Sequence, residues 1–240
     1  MPPFECNTEA ARGLSTRAKA YQYQTSPSGG SAVAVKPQSL LAQVLGITAL
    51  GWCISALAVY LFPNVGTGPS WIAFFGSFIL LFVMNATKAN GALSLAIFYL
   101  FAFLEGIFIS PIVTYYLHVA GPAVVFNAAL TTGLGMFALG AIVYATGLDL
   151  RRFSGIVFGA LLALVVIGII SIFVHFLSPT IYSWAILAIF TVIVLIDFAR
   201  IRAGGDGLTP VQIAVSIYLD SINIFLALLQ IMGGSSRRSE

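Results

Sequence analysis

Seven long apolar segments are the feature of this sequence that most constrains its fold. They cover residues 40–61, 70–87, 92–117, 123–145, 153–177, 180–199 and 211–232. Each has about 18 residues or more, enough for an α-helix to cross the roughly 30 Å of hydrocarbon in a bilayer. Hydrophobic residues make up 59% of the chain and charged residues only 8%, which excludes a soluble globular domain. Proline and glycine inside the apolar segments, without strict alternation, argue against a transmembrane β-barrel.

We therefore predict an all-α polytopic membrane protein with seven transmembrane helices, formed by residues 39–234. Residues 1–38 are rich in Ser, Gly, Pro and Thr and show no apolar period, so they are predicted to be a disordered cytoplasmic tail. Residues 235–240 are predicted to be a short polar C-terminus. Because the loops are short, helices that follow one another in the sequence should pack as antiparallel neighbours.

The distribution of basic residues predicts the orientation. The loops at 62–69, 118–122 and 178–179 contain no lysine or arginine. The N-terminal tail and the alternate loops do contain them: Lys88, Arg151, Arg152, Arg200 and Arg202. By the positive-inside rule the N-terminus is cytoplasmic, and seven spans would place the C-terminus outside. Arg237 and Arg238 favour the inside, as a re-entrant last segment would, so both positions of the C-terminus stay open.

The last apolar segment carries a carboxylate near its middle. Asp220 lies within residues 214–234, where an ionised carboxylate costs roughly 2.5–3.5 kcal/mol on insertion scales. Other polar residues recur on the same side at helical spacing: Gln212, Ser216, Asn223 and Gln230. A helix that faces lipid on all sides would not keep such a seam. We therefore expect this helix inside the bundle, with its polar side turned to other helices or to a water path.

A helix-start signal precedes this segment. Thr209 is the predicted N-cap, Pro210 takes the first helical position, and Gln212 reaches back to complete a capping box. The sixth helix is expected to end near Arg202 or Ala203, just before the turn.

A second buried acid, Asp197, lies near the end of the sixth segment. Counted from the turn, Asp197 and Asp220 differ in depth by roughly 6 Å at 1.5 Å per residue, a gap that helix tilt can close. Two carboxyl groups in a poorly solvated site should share a proton, and when ionised they offer hard oxygen ligands to Ca²⁺. Two simpler interpretations stay open: Asp197 pairs only with Arg200, one turn on, and Asp220 makes only structural hydrogen bonds.

Glu105 is a third acid within the spans, next to Gly106 in the third segment. Ser110 and Thr114 continue its polar side. It either lines the same ion pathway as the aspartates or is a hydrogen-bonded structural acid.

Small residues predict close helix packing in two spans. Gly155 and Gly159 form a GxxxG pattern in the fifth segment, and Gly133, Gly135 and Gly140 recur in the fourth.

Three motifs resemble one family. The stretch IYLDSINIFLALLQIMGG closely resembles the C-terminal signature of the Bax inhibitor-1 family, the transmembrane Bax inhibitor motif proteins, whose bacterial members are called YccA-like. LIDFARI and FLEGIFISPI resemble the sixth-span aspartate segment and the third-span Glu-Gly stretch of that family. The resemblance covers residues 40–234.

The resemblance implies a seven-helix bundle whose last helix is central and wrapped by the other six. It also implies a pH-sensitive Ca²⁺ leak governed by an aspartate pair, which by position is Asp197 and Asp220. In that family a basic residue in the second span latches the pair. Residues 71–87 contain no Lys or Arg, so the candidate latches are Lys88 at the boundary and Arg200 beside Asp197.

The leading functional hypothesis is a channel-like leak for Ca²⁺, or for cations more broadly, that protonation of the aspartate pair closes or opens. Asp197, Asp220, Glu105 and Asn223 would form its proton-sensing and ion pathway. Its partners would be the lipid bilayer, Ca²⁺ and protons, with no resident cofactor and no nucleic acid. The short Gly-rich tail favours a bacterial inner (plasma) membrane. The alternative is a non-transporting membrane regulator that binds a membrane protease or another partner protein.

An enzyme is not expected. Intramembrane aspartyl proteases also place one Asp in each of two neighbouring late helices. Here Asp220 follows Tyr218 and Leu219 instead of a glycine-flanked motif, and the later Pro-Ala-Leu motif is absent. A proton-coupled transporter is a further alternative, although no inverted repeat is visible.

Overall fold

The computed structural model describes residues 37–87, 91–174 and 177–236. Within these ranges the chain is helical, and no β-strand occurs. The elements are α1 (Pro37–Leu61), α2 (Thr67–Thr87), α3 (Gly91–Val119), α4 (Pro122–Thr146), a 3₁₀ turn (Arg151–Phe153), α5 (Ser154–Val174), α6 (Pro179–Arg202) and α7 (Pro210–Ser236).

The seven α-helices confirm the predicted all-α membrane fold. Each is long and apolar enough to cross a bilayer. The last of them, α7, is continuous over 27 residues, so it is long enough to span completely. The predicted tail falls almost entirely outside the described residues, as do the four C-terminal residues that follow α7.

The central position of α7 is also confirmed. In its most apolar stretch 67% of the residues are buried, against at most 33% in any other helix. Helices α1, α3, α4 and α6 pack directly on α7, while α2 packs on α3 and α5 packs on α6. One side of α7 places Tyr218 and Phe225 in a core with α1 and α3. The other side places Ile213 and Ile217 in a core with α4 and α6. Apolar residues on both sides explain why α7 is inside the bundle.

The α6–α7 turn forms as its sequence predicts. The backbone N–H of Thr209 donates to Oε1 of Gln212 at 2.9 Å, and the backbone N–H of Gln212 donates to Oγ1 of Thr209 at 3.3 Å. This reciprocal capping box fixes the first turn of α7. Asp206 is a non-glycine residue with a left-handed backbone (φ 51°), between Gly205 (φ 93°) and Gly207 (φ 81°). These conformations make the tight reversal after α6.

The predicted glycine packing is wrong at four of five positions. A Cβ atom added at Gly155, Gly159, Gly133 or Gly135 would meet nothing within 4 Å. At Gly140 it would lie 3.0 Å from the Phe198 ring, so close packing is confirmed there. The physical reason is that a small-residue pattern permits close approach but does not supply the partner helix. Among the described elements, only α6 and the 3₁₀ turn have Cα atoms within 8 Å of those of α5.

The tightest glycine contact with another helix's backbone occurs between α1 and α3. A Cβ atom at Gly106 would lie 2.6 Å from the backbone oxygen of Ser55 and 2.7 Å from the Cβ atom of Ala58. Glycine at this position therefore lets α1 and α3 approach each other closely.

Candidate functional site

Helices α6 and α7 bring two buried carboxyl groups together. Asp197 of α6 is 2% exposed and Asp220 of α7 is 4% exposed. Their side chains interact directly, and Ser216, one turn before Asp220, lies beside Asp197. Asp197 precedes the end of α6 by five residues and Asp220 follows the start of α7 by ten. The α6–α7 turn and the relative placement of the two helices close the difference in depth that the residue count implies.

The hydrogen bonding of this aspartate pair is incomplete. Nη1 of Arg200 donates to Oδ1 of Asp197 at 2.6 Å. Among the described residues, no group donates to Oδ2 of Asp197 or to Oδ2 of Asp220, although both atoms are buried. A buried carboxylate oxygen without a donor is costly. A proton on one carboxyl group would turn it into a donor to the other.

The pair lies on the wall of a cavity of about 670 Å³ between α5, α6 and α7. Most of the lining is apolar. The polar residues that line it are Ser154, Asp197, Arg200, Ser216, Asp220 and Asn223. Within the described residues no Cα atoms of α5 and α7 lie within 8 Å of each other, which leaves room for the cavity. The structure thus places the aspartates at the edge of an open space, not within close-packed helices.

The polar seam of α7 is divided among three environments. Ser216, Asp220 and Asn223 line the cavity. Gln212 is used in the capping box, and Gln230 accepts a hydrogen bond from Ser183 of α6 at 2.7 Å. The side-chain nitrogen of Asn223 donates to its own helix, to the backbone oxygen of Leu219 at 2.8 Å. The middle of the seam, therefore, is the part that faces the cavity.

A chain of alternating charges leads from the pair to exposed residues. The Nε atom of Arg200 lies 3.8 Å from Oδ2 of Asp206 in the α6–α7 turn. Oδ1 of Asp206 lies 2.6 Å from Nη1 of Arg151. The same arginine also pairs with Asp149, with Nη2 of Arg151 2.8 Å from Oδ2 of Asp149. The hydrogen bonds from Arg151 lower the pKa of Asp149 to about 2. Arg200 thus contacts one buried and one exposed carboxylate.

Sequence reasoning did not assign Asp206 this role. The available signal was an aspartate flanked by Gly205 and Gly207, directly after the basic end of α6. Asp and Asn tolerate the left-handed backbone better than most residues. An Asp in a glycine-rich turn near Arg200 is thus a candidate for a charge contact.

Glu105 is not one of the residues that line this cavity. It is buried in α3, and Oε2 accepts a hydrogen bond from Ser77 of α2 at 3.1 Å. In the same region the hydroxyl groups of Tyr218 and Ser55 are 2.6 Å apart, and Ser55 donates to the backbone oxygen of Ala102 at 2.8 Å. The structure thus places Glu105 in a separate polar cluster, which favours the interpretation of a hydrogen-bonded structural acid.

Of the two candidate latch residues, Arg200 and Lys88, the structure describes only Arg200. Arg200 contacts Asp197, as the spacing of three residues allows, while Lys88 lies outside the described residues. No group of three or more His, Cys, Asp or Glu side chains that could hold a metal ion occurs in the described part of the chain. Ca²⁺ takes six to eight oxygen ligands. Two carboxyl groups with neutral oxygens from Ser216 and Asn223 could therefore contact a passing cation more readily than hold one tightly.

Comparison with known proteins supplies the family. The sequence pattern of the family described as inhibitor of apoptosis-promoting Bax1 matches residues 37–237. An uncharacterized membrane protein of Streptococcus pyogenes is 32% identical over 165 residues, 65% of this chain and 70% of the relative. A Helicobacter pylori protein is 27% identical over 173 residues, 71% of this chain and 74% of the relative. A Vibrio cholerae membrane protein is 29% identical over 160 residues, 65% and 70% respectively. The chain therefore belongs to the Bax inhibitor family of membrane proteins.

Proposed function

We propose that this protein is a pH-sensitive leak for Ca²⁺, or for cations more broadly, gated by Asp197 and Asp220. The observation that carries the proposal is the meeting of two buried carboxyl groups from neighbouring helices at the edge of a cavity. Each has a buried oxygen to which no described residue donates a hydrogen bond. A plain membrane anchor has no need of two such groups, because each raises the free energy of insertion.

The shut form carries one proton on the pair. With one proton, the two carboxyl groups can hydrogen-bond to each other and together bear a single negative charge. Arg200 balances that charge through its contact with Oδ1 of Asp197. The buried charges then sum to zero, the arrangement that low-dielectric surroundings favour most.

Uptake of a second proton opens the leak. A neutral Asp197 no longer attracts Arg200 as an ion, and Arg200 has an exposed alternative partner in Asp206. Helix α5 adds Ser154 and apolar residues to the described cavity wall but no titratable side chain. The charge state of the cavity is therefore governed by Asp197, Asp220 and Arg200. Cation flux should rise as the pH falls.

Calcium is the cargo that the protein carries. The lipid bilayer and protons are the other partners of the protein. The basic residues at one end of the bundle support a cytoplasmic location for that end and for the N-terminus. The bacterial relatives support a bacterial plasma membrane. No catalytic step is assigned to any residue.

The test is Ca²⁺ flux into vesicles that contain the purified full-length chain, measured with an enclosed Ca²⁺-sensitive dye while the external pH is stepped. Asp197→Asn and Asp220→Asn are compared with Glu9→Gln, which changes a carboxylate far from both aspartates in the sequence. The first two should change the pH profile and the third should not. Unchanged flux and unchanged pH profile in both cavity variants would reject the leak and favour a non-transporting regulator.

A further inference from the structure

A second cavity, the α1–α4 groove, opens between α1 and α4. One wall is the face of α1 from Leu41 to Trp52, and the other is the face of α4 from Ala129 to Tyr144. Phe198 and Ile217 form the floor, and the volume is about 660 Å³. Within the described residues no Cα atoms of α1 and α4 lie within 8 Å of each other. Phe137 on the rim is 76% exposed, so the groove opens toward the surrounding hydrocarbon.

The groove is apolar except at one end. Its deeper polar groups already have partners: Thr132 donates to its own helix at 2.8 Å, and Nε1 of Trp52 donates to Oγ of Ser221 at 2.7 Å. The hydroxyl group of Tyr144 is different. It is buried and has no hydrogen-bond partner among the described residues. A buried hydroxyl is usually satisfied, so this one is suited to a ligand with a polar group at that end.

A cation lies at the same end of the groove. Arg202 donates from Nη1 to the backbone oxygen of Val143 at 3.1 Å and from Nη2 to that of Gly147 at 2.6 Å. Its charge acts on the neighbouring Tyr144 side chain. These two hydrogen bonds account for two of the five N–H donors of a guanidinium group, and such groups bind phosphate well.

The length of the groove suits one leaflet of a bilayer. The α1 wall from Leu41 to Trp52 extends for about 16 Å at 1.5 Å per residue. Half of a hydrocarbon core of roughly 30 Å is about 15 Å. The groove begins near the end of the bundle that carries Arg202 and runs toward the middle of the membrane. A ligand with an anionic group, then a polar linkage and then an apolar tail has its chemical groups in the same order as the groove, which runs from Arg202 past Tyr144 to the apolar walls.

We propose that the α1–α4 groove binds one acyl chain of an anionic glycerophospholipid. The chain lies between α1 and α4, the Tyr144 hydroxyl donates to an ester oxygen, and Arg202 contacts the phosphate. This site is independent of the aspartate cavity, because none of the residues that line that cavity takes part in it.

Trp52 provides the probe for this site. A chain with Trp71→Phe and Trp184→Phe keeps Trp52 as its single tryptophan. It is placed in phosphatidylcholine vesicles with increasing phosphatidylglycerol brominated near the middle of its acyl chains, and quenching is recorded. We expect Trp52 to favour phosphatidylglycerol by about fivefold, the effect of one arginine near an anionic headgroup. A single-Trp71 chain, whose tryptophan is 50% exposed, should show no such preference.

Two substitutions on α4 separate the groove from the general surface. Gly133 lines the groove and has open space at its Cβ position, so Gly133→Leu fills the groove and should reduce quenching of Trp52. Gly135 also has open space but does not line the groove, so Gly135→Leu should leave quenching unchanged. Tyr144→Phe and Arg202→Gln should remove the preference for phosphatidylglycerol while tail contact persists.

Three results would overturn the proposal. One is equal lipid preference at Trp52 and Trp71. Another is quenching of Trp52 that Gly133→Leu does not change. The last is a Trp52 shielded from brominated lipids of either headgroup, with shielding that grows with protein density, because a second copy of the chain would then fill the groove.

Discussion

Arg200 holds Asp197 from one turn further along α6, with Nη1 2.6 Å from Oδ1. The side chain of Asp197 is 2% exposed and that of Arg200 is 23% exposed, so the ion pair crosses from the buried cavity to the edge of the bundle. This geometry places the cation of the site on the same helix as one of its two acids. A basic residue in the second span is therefore not required for a contact with the pair.

Removal of the Arg200 charge should open the leak. Arg200→Gln keeps a side chain of similar shape but leaves the singly protonated pair with an unbalanced negative charge. We expect Ca²⁺ flux at neutral pH to rise about tenfold, since a charge-assisted hydrogen bond of this kind contributes about 1.5 kcal/mol. Flux into dye-loaded vesicles measures the change. Arg152→Gln, at an arginine that does not line the cavity, is the matched control. Flux equal to that of the unchanged protein contradicts the latch role.

The two aspartates should differ in their response to substitution. Asp220→Asn places a permanent amide donor beside Asp197 and leaves the ion pair with Arg200 intact. The variant should therefore be shut at neutral pH and should open only when Asp197 itself takes up a proton, at a pH that differs from that of the unchanged pair. Asp197→Asn removes the partner of Arg200, so flux should be raised and nearly independent of pH. The same flux assay, run from neutral to acidic pH, separates the variants. Identical profiles for the two would contradict the proposed division of roles.

Much of this architecture could be predicted from the sequence, because long apolar segments and a capping box are local signals. The seven helices, the start of α7 at Pro210 and the interior position of Asp220 depend on such signals. The cavity beside Asp220 could not be predicted, because it depends on the separation of α5 from α7, which no local signal in the sequence gives. The prediction of close packing at the glycines of α5 failed for a related reason. Sequence spacing shows which residues share a face of a helix, but it does not show which helix lies against that face.

Glycine at position 106 should be essential to the packing of α1 on α3. Gly106→Val would place a Cβ atom 2.6 Å from the backbone oxygen of Ser55, and backbone cannot yield as a flexible side chain can. We expect a loss of about 3 kcal/mol or more, at the upper end of overpacking costs. Thermal unfolding in detergent measures it. Gly46→Val, at a helical glycine with open space on α1, should change the midpoint little. Equal midpoints for the two variants would contradict the close approach.

The acid dependence of stability should include a contribution from Asp149. Its pKa is lowered from 3.8 to about 2 by hydrogen bonds from Arg151. A depressed folded-state pKa means that the contribution is fully present above the unfolded-state value and is lost as the pH falls toward 2. Asp149→Asn should therefore be less stable than the unchanged protein at pH 5, with the difference shrinking as the pH falls and vanishing below about pH 2. Because the Asp149–Arg151 ion pair is exposed, its effect on stability is small, and salt should reduce it. A difference that grows toward pH 2 would contradict this assignment.

Asp206 should determine how readily Arg200 leaves Asp197. It lies in the α6–α7 turn with φ 51°, and its Oδ2 atom is 3.8 Å from Nε of Arg200. Asp206→Asn removes the charge but keeps a residue that tolerates the left-handed backbone, so the turn should be preserved. Without this second carboxylate Arg200 should remain on Asp197, and acid-induced flux should fall by about threefold, the scale of an exposed ion pair. Because Asp206 also pairs with Arg151 at 2.6 Å, Arg151→Gln tests whether the effect runs through that contact. A fall of flux in Arg151→Gln but not in Asp206→Asn would place the control in the α4–α5 connection and contradict competition for Arg200.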